Sequence, residues 1–197
     1  PTDEPAVCTG ANNVIDLAGL LDQETAGGAW TEVSGVPSTG SAFNPSAATF
    51  RTTGQAPGIY VFQYLVMAQD PCPDASAQVK VRVNANPVAD AGPDLSLGCL
   101  VNEVSIGSGQ TTAGLQYQWT GAGGSLPLSP SAAVTEVNQA DTYTLLVTDP
   151  ATGCTATDMV TVTSDENIVV PFASVIPITC FQANDGFIRI DSVLGGQ

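Results

Sequence analysis

The chain has 197 residues, and its 19 acidic and four basic side chains give it a formal net charge of −15. This charge argues against nucleic acid and anionic membranes as partners, because both require a basic surface. The sequence has no histidine, which is the commonest general base and metal ligand. It also has no apolar stretch near the roughly 20 residues of a membrane-spanning helix. Frequent threonine and valine, separated at short intervals by glycine and proline, indicate an all-β protein built of sandwiches.

The first predicted module begins near Cys8. Its strands, predicted from alternating apolar and polar residues, are 13–17, 29–33, 48–51, 60–66 and 79–83. The second strand carries Trp30, and a Ser-, Gly- and Pro-rich stretch at 34–48 predicts a long loop that is anchored by Phe43. The last two strands form a hairpin whose turn contains Cys72.

The second predicted module follows a joint at 84–87, where Pro87 interrupts the strand ladder. Its strands are predicted at 95–97, 104–106, 115–119, 133–137 and in the two arms of a hairpin at 141–163. A single tryptophan, Trp119, precedes a second Gly-, Ser- and Pro-rich loop at 121–131. Turn residues at 149–153 predict the return of the hairpin, directly before Cys154.

The two modules repeat the same order of features. Tyr143 lies 83 positions after Tyr60, and Cys154 lies 82 positions after Cys72. Cys180 follows Cys99 by 81 positions, which indicates the opening of a third module. The predicted domains are therefore two sandwiches and the start of a third, truncated β module, with limits at 1–86, 87–164 and 165–197.

Several segments resemble repeats of the large surface adhesins that gliding bacteria export by type IX secretion. Residues 89–94 are similar to the opening segment of the PKD-like repeats in those adhesins. Residues 141–144 and 153–158 are similar to the closing hairpin of the same repeats. Residues 184–188, with the glycines at 195–196, resemble the start of the repeat typical of gliding-motility adhesins. The resemblance implies tandem immunoglobulin-like (PKD-like) sandwiches, a location outside the cell or at its surface, and service as a shaft.

Five cysteines occur in the chain without any C-x-x-C pair, which disfavours zinc knuckles and thioredoxin-type sites. One cysteine near the start of each module and one in each closing hairpin predict the disulfides Cys8–Cys72 and Cys99–Cys154, with Cys180 unpaired. The alternative is that all are reduced, buried small side chains of a cytosolic protein.

No catalytic constellation is apparent, and we expect no enzyme. Without histidine, the amine that remains to activate a nucleophile is Lys80. Lys80 alternates with Val79 and Val81, so its side chain is expected to face solvent. A Lys–Asn isopeptide bond would require Lys80 to be buried instead. The carboxylates occur at turns and joints, where we interpret them as surface groups rather than as a glycosidase pair.

Acidic residues near the joints suggest calcium as the one possible cofactor, because loop carboxylates and carbonyls can supply its six to eight oxygen ligands. The candidate ligands are Asp90, Asp94, Asp165 and Glu166, with further acids at Asp3, Glu4, Asp70 and Asp74. No EF-hand spacing is present, and the alternative is a solvated acidic face.

The two tryptophans could stack against sugars or fill the sandwich cores. Each tryptophan keeps its place within its module, so we predict that both are buried. The alternating strand residues are predicted to be buried with them, which gives the core set Trp30, Tyr60, Phe62, Tyr64, Trp119, Tyr143, Leu145, Val147, Val160 and Val162. Lys80 and Arg82 are predicted to be exposed.

The predicted function is structural: a disulfide-braced segment of an extracellular adhesin or surface fibre that projects a distal region. The alternatives are a carbohydrate- or protein-binding module that uses loops 34–48 and 121–131, and an accessory domain of a secreted hydrolase. Expected partners are adjacent modules of the same polypeptide, further copies in a fibre, or a cell-surface glycan or protein. Residues 168–197 are too apolar for a free tail, so they require either a continuing module or strand exchange between copies through 186–193.

Overall fold

The computed structural model describes residues 4–21, 27–68, 71–98, 101–109, 111–164 and 170–194. These residues form 15 β-strands and one short 3₁₀ turn at Ala18–Leu20, which confirms the predicted all-β class. The first strands are β1 (Ala6–Cys8), β2 (Val14–Asp16), β3 (Ala29–Glu32), β4 (Phe43–Asn44), β5 (Thr49–Arg51), β6 (Gly58–Val66) and β7 (Ala75–Asn84). They are followed by β8 (Leu95–Leu97), β9 (Val104–Ile106), β10 (Gln116–Gly121), β11 (Thr135–Val137), β12 (Asp141–Thr148), β13 (Thr155–Ser164), β14 (Val170–Ile176) and β15 (Phe187–Leu194).

Strands β1 to β7 form the first sandwich. One sheet has the order β1-β7-β6-β3 and the other the order β2-β5-β4. Strand β1 runs parallel to β7 at the sheet edge, whereas the other pairs are antiparallel. The third, sixth and seventh strands share one sheet, and the second, fourth and fifth share the other. This is the strand order of immunoglobulin-like sandwiches, so the predicted architecture is confirmed.

Aromatic rings fill the core of the first sandwich because β6 places every second side chain on its inner face. Phe50 of the second sheet lies 4.9 Å from the rings of both Tyr60 and Phe62, and Phe43 lies 4.9 Å from Phe62. Trp30 packs against Tyr64 with ring centroids 5.1 Å apart. The predicted core residues of this module are all buried, as is Phe50.

Strands β8 to β13 form the second sandwich. Its sheets have the orders β10-β12-β13-β8 and β11-β9, and β8 runs parallel to β13 as β1 does to β7. Trp119 is 1% exposed and donates its indole N–H to the carbonyl oxygen of Ala132 over 2.9 Å. The other predicted core residues, Tyr143, Leu145, Val147, Val160 and Val162, are also buried, so the core prediction is confirmed for both modules.

A shared tyrosine contact supports the equivalence of the two modules. The Tyr60 hydroxyl donates to the carbonyl oxygen of Ala56, and the Tyr143 hydroxyl to that of Gln139, each over 2.9 Å and each four residues upstream. This is the tyrosine corner of immunoglobulin-like domains. Burial is the largest cause of the raised pKa of both phenols.

Strands β14 and β15 form a separate two-stranded antiparallel sheet, the terminal hairpin, with an irregularity between Phe172 and Ala173. Both faces carry exposed apolar side chains, namely Phe172, Val175, Ile176, Phe187, Ile188, Ile190 and Val193. A two-stranded sheet of this kind is marginally stable alone.

The chain divides into two compact units. The first comprises Pro1–Ala89, Thr111–Gln116 and Leu146–Thr157, and the second comprises Asp90–Gln110, Tyr117–Leu145 and Asp158–Gln197. The domain limits proposed from the sequence stay a prediction.

Candidate functional site

A disulfide between Cys8 and Cys154 is the most distinctive chemical feature of the described residues. The two cysteines are 146 positions apart in sequence, and their Cα atoms are 5.5 Å apart. Cys8 ends β1 and is half-buried, whereas Cys154 directly precedes β13 and is fully buried. Both cysteines belong to the first compact unit.

The predicted pairing of Cys8 with Cys72 is wrong. Cys8 lies beside Asn84, the last residue of β7, whereas Cys72 lies in the turn that precedes β7. The ten residues of β7 separate these positions by about 30 Å, because a strand rises about 3.3 Å per residue. A disulfide requires its Cα atoms to be within about 7 Å. The predicted Cys99–Cys154 pair is also wrong, because Cys154 is bonded to Cys8; Cys99 lies outside the described residues.

The turn before Cys154 is held by Asp149, as the turn residues at 149–153 predicted. One carboxylate oxygen accepts the N–H of Ala151 over 2.9 Å, and the other accepts the Thr152 hydroxyl over 2.8 Å. The Ala151 N–H and then the Thr152 hydroxyl lower the pKa of Asp149. Gly153 has a φ of 73° and donates its N–H to the carbonyl oxygen of Asp149 over 2.7 Å. These contacts place Cys154 at the start of β13.

Two of the cysteines that the structure describes, Cys72 and Cys180, carry exposed free thiols. Cys72 lies in the β6–β7 turn, where the N–H of Ala68 donates to the Asp74 carboxylate over 2.9 Å. Cys180, which was predicted to be unpaired, lies in the connection between β14 and β15.

The predicted calcium ligands are only partly described by the structure, since Asp165 and Glu166 lie outside the described residues. Asp90 is exposed and accepts the N–H of Gly92 over 3.1 Å, and Asp94 accepts the N–H of Thr161 over 2.8 Å. Within the described ranges, no three acidic or cysteine side chains lie close enough together to hold a metal ion. Asp90 and Asp94 thus accept hydrogen bonds from backbone N–H groups, and the calcium site stays a prediction.

The side chains proposed as sugar platforms are in the cores. Trp30 and Trp119 are 8% and 1% exposed. In loop 34–48 the ring of Phe43 is half-buried against Phe62, and residues 43–44 pair with β5 as the short strand β4. Loop 121–131 contains no aromatic residue, although Leu126 and Leu128 are exposed. Neither loop thus presents an exposed aromatic ring.

Glu32 fixes the start of loop 34–48, a role that the sequence analysis missed. One of its carboxylate oxygens accepts the Ser34 hydroxyl over 2.9 Å and the N–H of Ser38 over 2.7 Å. The other oxygen accepts the Ser38 hydroxyl over 2.7 Å. Three bonds to one carboxylate can order a loop that composition alone would leave flexible. The serines at 34 and 38 are the signal that was available in the sequence.

A shallow cavity of about 270 Å³ lies beside the same loop. Its lining includes Arg51, Thr39, Thr53 and Gln55. The Gln55 side chain is buried and locked, because it accepts the N–H of Thr39 over 2.9 Å and donates to the Thr39 carbonyl oxygen over 3.1 Å. Arg51 is exposed and brings positive charge to this wall of an otherwise acidic chain.

Lys80 and Arg82 are both exposed, as predicted, and Arg82 forms an ion pair with Glu4 over 2.9 Å. An exposed Lys80 does not meet the burial that an isopeptide bond requires.

None of the described helical residues forms a segment long and apolar enough to cross a membrane.

Comparison with known proteins gave no match to a protein-family model and no match among curated proteins. Among solved structures, a PKD domain of the protein KIAA 1837 matches with 24% identity and a TM-score of 0.31, covering 40% of this chain and 87% of that domain. An I-band fragment of titin matches with 11% identity and a TM-score of 0.38, covering 86% of this chain and 71% of the fragment.

A SusE-like surface-located polysaccharide-binding protein of Bacteroides thetaiotaomicron matches with 10% identity and a TM-score of 0.38. That alignment covers 82% of this chain and 33% of the binding protein, so the chain spans about a third of its length. At TM-scores below 0.5, these likenesses carry no argument about function.

Proposed function

We propose that the chain is a structural segment of an extracellular adhesin or surface fibre, exported by type IX secretion, in which a disulfide braces a rod of sandwiches. No catalytic role is part of the proposal. The resemblance of residues 89–94, 141–144 and 153–158 to adhesin repeats supports the export route. The observation that carries the mechanical role is the Cys8–Cys154 disulfide.

The disulfide gives tension a covalent route that bypasses most of the chain. When the two termini are pulled apart, force passes from residue 8 to residue 154 through the bond. Residues 9–153 lie in the closed loop and carry no backbone tension while the disulfide is intact. A shaft benefits from such a bond, because strands β2 to β12 lie inside the closed loop and cannot be extended when the ends are loaded, whereas β1 and β13 stay in the path of tension.

Single-molecule stretching tests this role. The oxidised chain should lengthen only through residues 1–8 and 154–197. Reduction should add about 500 Å of contour length, since 146 positions extend by about 3.3–3.6 Å each. Cys8→Ser should behave as the reduced protein, and Cys72→Ser should behave as the oxidised wild type. Equal lengthening of oxidised and reduced protein would contradict the mechanical proposal.

The location is tested separately, with labelled antibodies on intact cells of the source organism. Labelling of filaments that extend from the surface is the expected result. Labelling that requires cell permeabilisation would contradict the surface assignment.

The terminal hairpin supports neighbouring modules as the main partner. Its apolar side chains, such as Phe187 and Ile188, are exposed at 54% and 72%, and a covering module would bury them. Strand exchange with another copy through 186–193 is the alternative, and it would make the assembly a homo-oligomeric fibre. Light scattering separates the two: a monomer over a wide concentration range supports the module, and a concentration-dependent oligomer supports exchange.

A second candidate function is a carbohydrate- or protein-binding module, including one attached to a secreted hydrolase. The observation that favours it is the shallow cavity beside loop 34–48, with Arg51 on its wall. Glycan-array binding that Arg51→Ala abolishes and Lys80→Ala leaves intact would support this function over the shaft.

Calcium remains part of the proposal only as a possible stabiliser at the joints. A rise in the unfolding temperature with added calcium, reversed by EDTA and lost in Asp165→Asn, would support it. An unchanged unfolding temperature would exclude a stabilising calcium site.

A further inference from the structure

The shallow cavity that Arg51 lines has a charge opposite to that of the chain around it. The sequence has 19 acidic and four basic side chains, yet the described residues that line the cavity include this arginine and no acidic residue. Two other basic residues are neutralised, Arg82 by Glu4 and Arg189 by Asp191. Arg51 forms no ion pair with any acid in the described part of the chain. Its guanidinium is therefore available to an anion from solution.

Hydrogen bonds hold the walls of this cavity in place. The Gln55 side chain joins them, because its oxygen accepts the N–H of Thr39 over 2.9 Å and its amide donates to the carbonyl oxygens of Thr39 and Thr53 over 3.1 and 3.4 Å. Arg51 lies in β5, and its backbone N–H donates to the carbonyl oxygen of Ala42 over 2.8 Å. Fixed walls reduce the entropic cost of binding, since few groups have to be ordered by the ligand.

The cavity also offers a hydroxyl group and open space beside the backbone. Among the described residues, the Thr39 hydroxyl has no hydrogen-bond partner, whereas the Thr53 hydroxyl donates to the side-chain oxygen of Asn12 over 2.9 Å. A Cβ added at Gly40 or Gly54 would meet no atom within 4 Å. A ligand at Arg51 can therefore reach a free hydroxyl donor without a clash at either glycine.

The size and chemistry of the cavity favour a small ligand that carries an oxyanion. Its volume of about 270 Å³ is below the roughly 300–1,000 Å³ of pockets that enclose drug-sized ligands, so it suits one sugar residue better than a long segment. A guanidinium binds a planar oxyanion through two parallel N–H···O bonds. Threonine hydroxyls and the peptide groups of a glycine-containing wall are suitable partners for sugar hydroxyls.

A neutral sugar and a peptide fit this cavity less well. Trp30 and Trp119 are buried, and no aromatic ring lines the cavity in the described part of the chain, so the arginine has to supply the attraction that stacking would otherwise give. A peptide that adds to a sheet edge needs several residues of exposed strand. The adjacent edge strand, β4, has two residues.

We propose that this cavity binds one acidic sugar residue of a glycan, whose carboxylate or sulfate group pairs with the Arg51 guanidinium. The Thr39 hydroxyl then donates to an oxygen of the sugar. The inference rests on the second candidate function, a carbohydrate-binding module, and it names the class of glycan that such a module takes.

Titration of the whole chain, followed by its amide NMR resonances, tests the proposal. The probes are methyl glucuronide, which carries a carboxylate, methyl glucoside 6-sulfate, and neutral methyl glucoside. We expect at least one charged sugar to shift the amides of Thr39, Gly40, Thr53 and Gly54, and the neutral sugar to leave them unshifted. The two charged probes distinguish a carboxylate from a sulfate as the recognised group. Added salt should weaken the binding, because the charges are exposed.

Arg51→Gln should weaken the binding of the charged sugar by about tenfold or more, because a charge-assisted pair is lost. Lys80→Gln is the matched control, since it removes the same charge from an exposed side chain on β7, in the other sheet, and should leave binding unchanged. Unshifted amides far from the cavity show that each variant is folded. If a variant does not fold, the comparison of charged and neutral sugars on the wild type still decides the question.

The proposal is overturned if the neutral sugar shifts the same amides as strongly, or if acetate and inorganic sulfate do so, since the cavity would then recognise no acidic sugar. The absence of any shift, or tighter binding by a triglutamate peptide, overturns it too. Neutral glycans bound on an array, together with a cavity that stays unshifted, would retain the binding function and remove this inference alone. An array without binding and an unshifted cavity would remove both.

Discussion

At the scale of single residues, backbone conformation and close approach explain where substitutions are expected to be costly. Gly107 follows β9 with a φ of 101°, and its N–H donates to the carbonyl oxygen of Ala91 over 2.9 Å. A Cβ at this position would collide with the carbonyl oxygen of Ala133. The chain therefore needs glycine here for both conformation and space.

Gly107→Ala should destabilise the second sandwich by about 1–2 kcal/mol from the left-handed backbone and by a further 1–3 kcal/mol or so from overpacking. Gly109→Ala is a matched control, because it also has a positive φ, of 75°, but its Cβ would meet no atom within 4 Å. Thermal unfolding of both variants measures the difference. Equal losses would show that the approach of Ala133 has no energetic effect.

The tyrosine corner allows a second test at one atom. Tyr143→Phe removes the hydroxyl that binds Gln139 and leaves that carbonyl without its partner. We expect a loss of about 1–2 kcal/mol in the free energy of unfolding, measured by urea denaturation. Thr144→Val, one residue along β12 on its other face, should change stability by less. A Tyr143→Phe variant as stable as the wild type would mean that water replaces the hydroxyl.

At the scale of the element, the carboxylates that hold turns make stability depend on pH. The N–H groups of Gly123 and Thr142 donate to the Asp141 carboxylate, and the Gly123 N–H is the largest cause of the lowered pKa of Asp141. The N–H of Ala151 is the largest cause of the lowered pKa of Asp149. The folded pKa values lie below the ordinary 3.8. The stabilisation that the Asp141 and Asp149 carboxylates give to the folded state is therefore complete above about pH 4, and it is lost as the pH falls through the folded pKa of each group.

Asp149→Asn should lower stability at pH 7 and flatten its decline below about pH 4, because the charge that prefers the folded state is gone. Denaturation at a series of pH values measures both changes. Glu103→Gln, at an exposed carboxylate, serves as the control. An unchanged decline in the Asp149 variant would place the acid sensitivity elsewhere in the chain.

Elements with strict alternation were predictable from the sequence, and elements that depend on distant partners were not. Tyr60, Phe62 and Tyr64 follow a two-residue period, so the strand, its inner face and its burial could all be inferred. Strand β4 has two residues and exists because Phe43 and Asn44 pair with β5, which the local sequence does not reveal.

The disulfide was missed for the same reason. Proximity within a module suggested Cys72 as the partner of Cys8, but the register of β1 against the end of β7 decides which cysteine is within reach. The cavity beside Arg51 likewise depends on how loop 34–48 folds back on Gln55. Neither contact leaves a periodic signal in the sequence.

At the scale of the whole molecule, the disulfide should dominate stability. Closing a loop of 146 positions is worth about 5 kcal/mol in the chain-entropy model, although measured gains are often lower. Cys8→Ser and Cys154→Ser should each lower the unfolding temperature, and the double variant should lower it no further. Additive losses would indicate that each sulfur also contributes through its own packing.

The same bond also changes what a protease can do to the molecule. One backbone cut between residues 9 and 153 opens the loop but leaves both pieces joined through sulfur. A nicked molecule therefore keeps its length between the ends, and it shows its damage only on a reducing gel. Two cuts are needed to release a fragment from this region, whereas a single cut after residue 154 separates everything beyond it. Single cuts that sever the covalent chain are thus limited to the segments outside the loop, before residue 8 and after residue 154, and the terminal hairpin lies in the second of these.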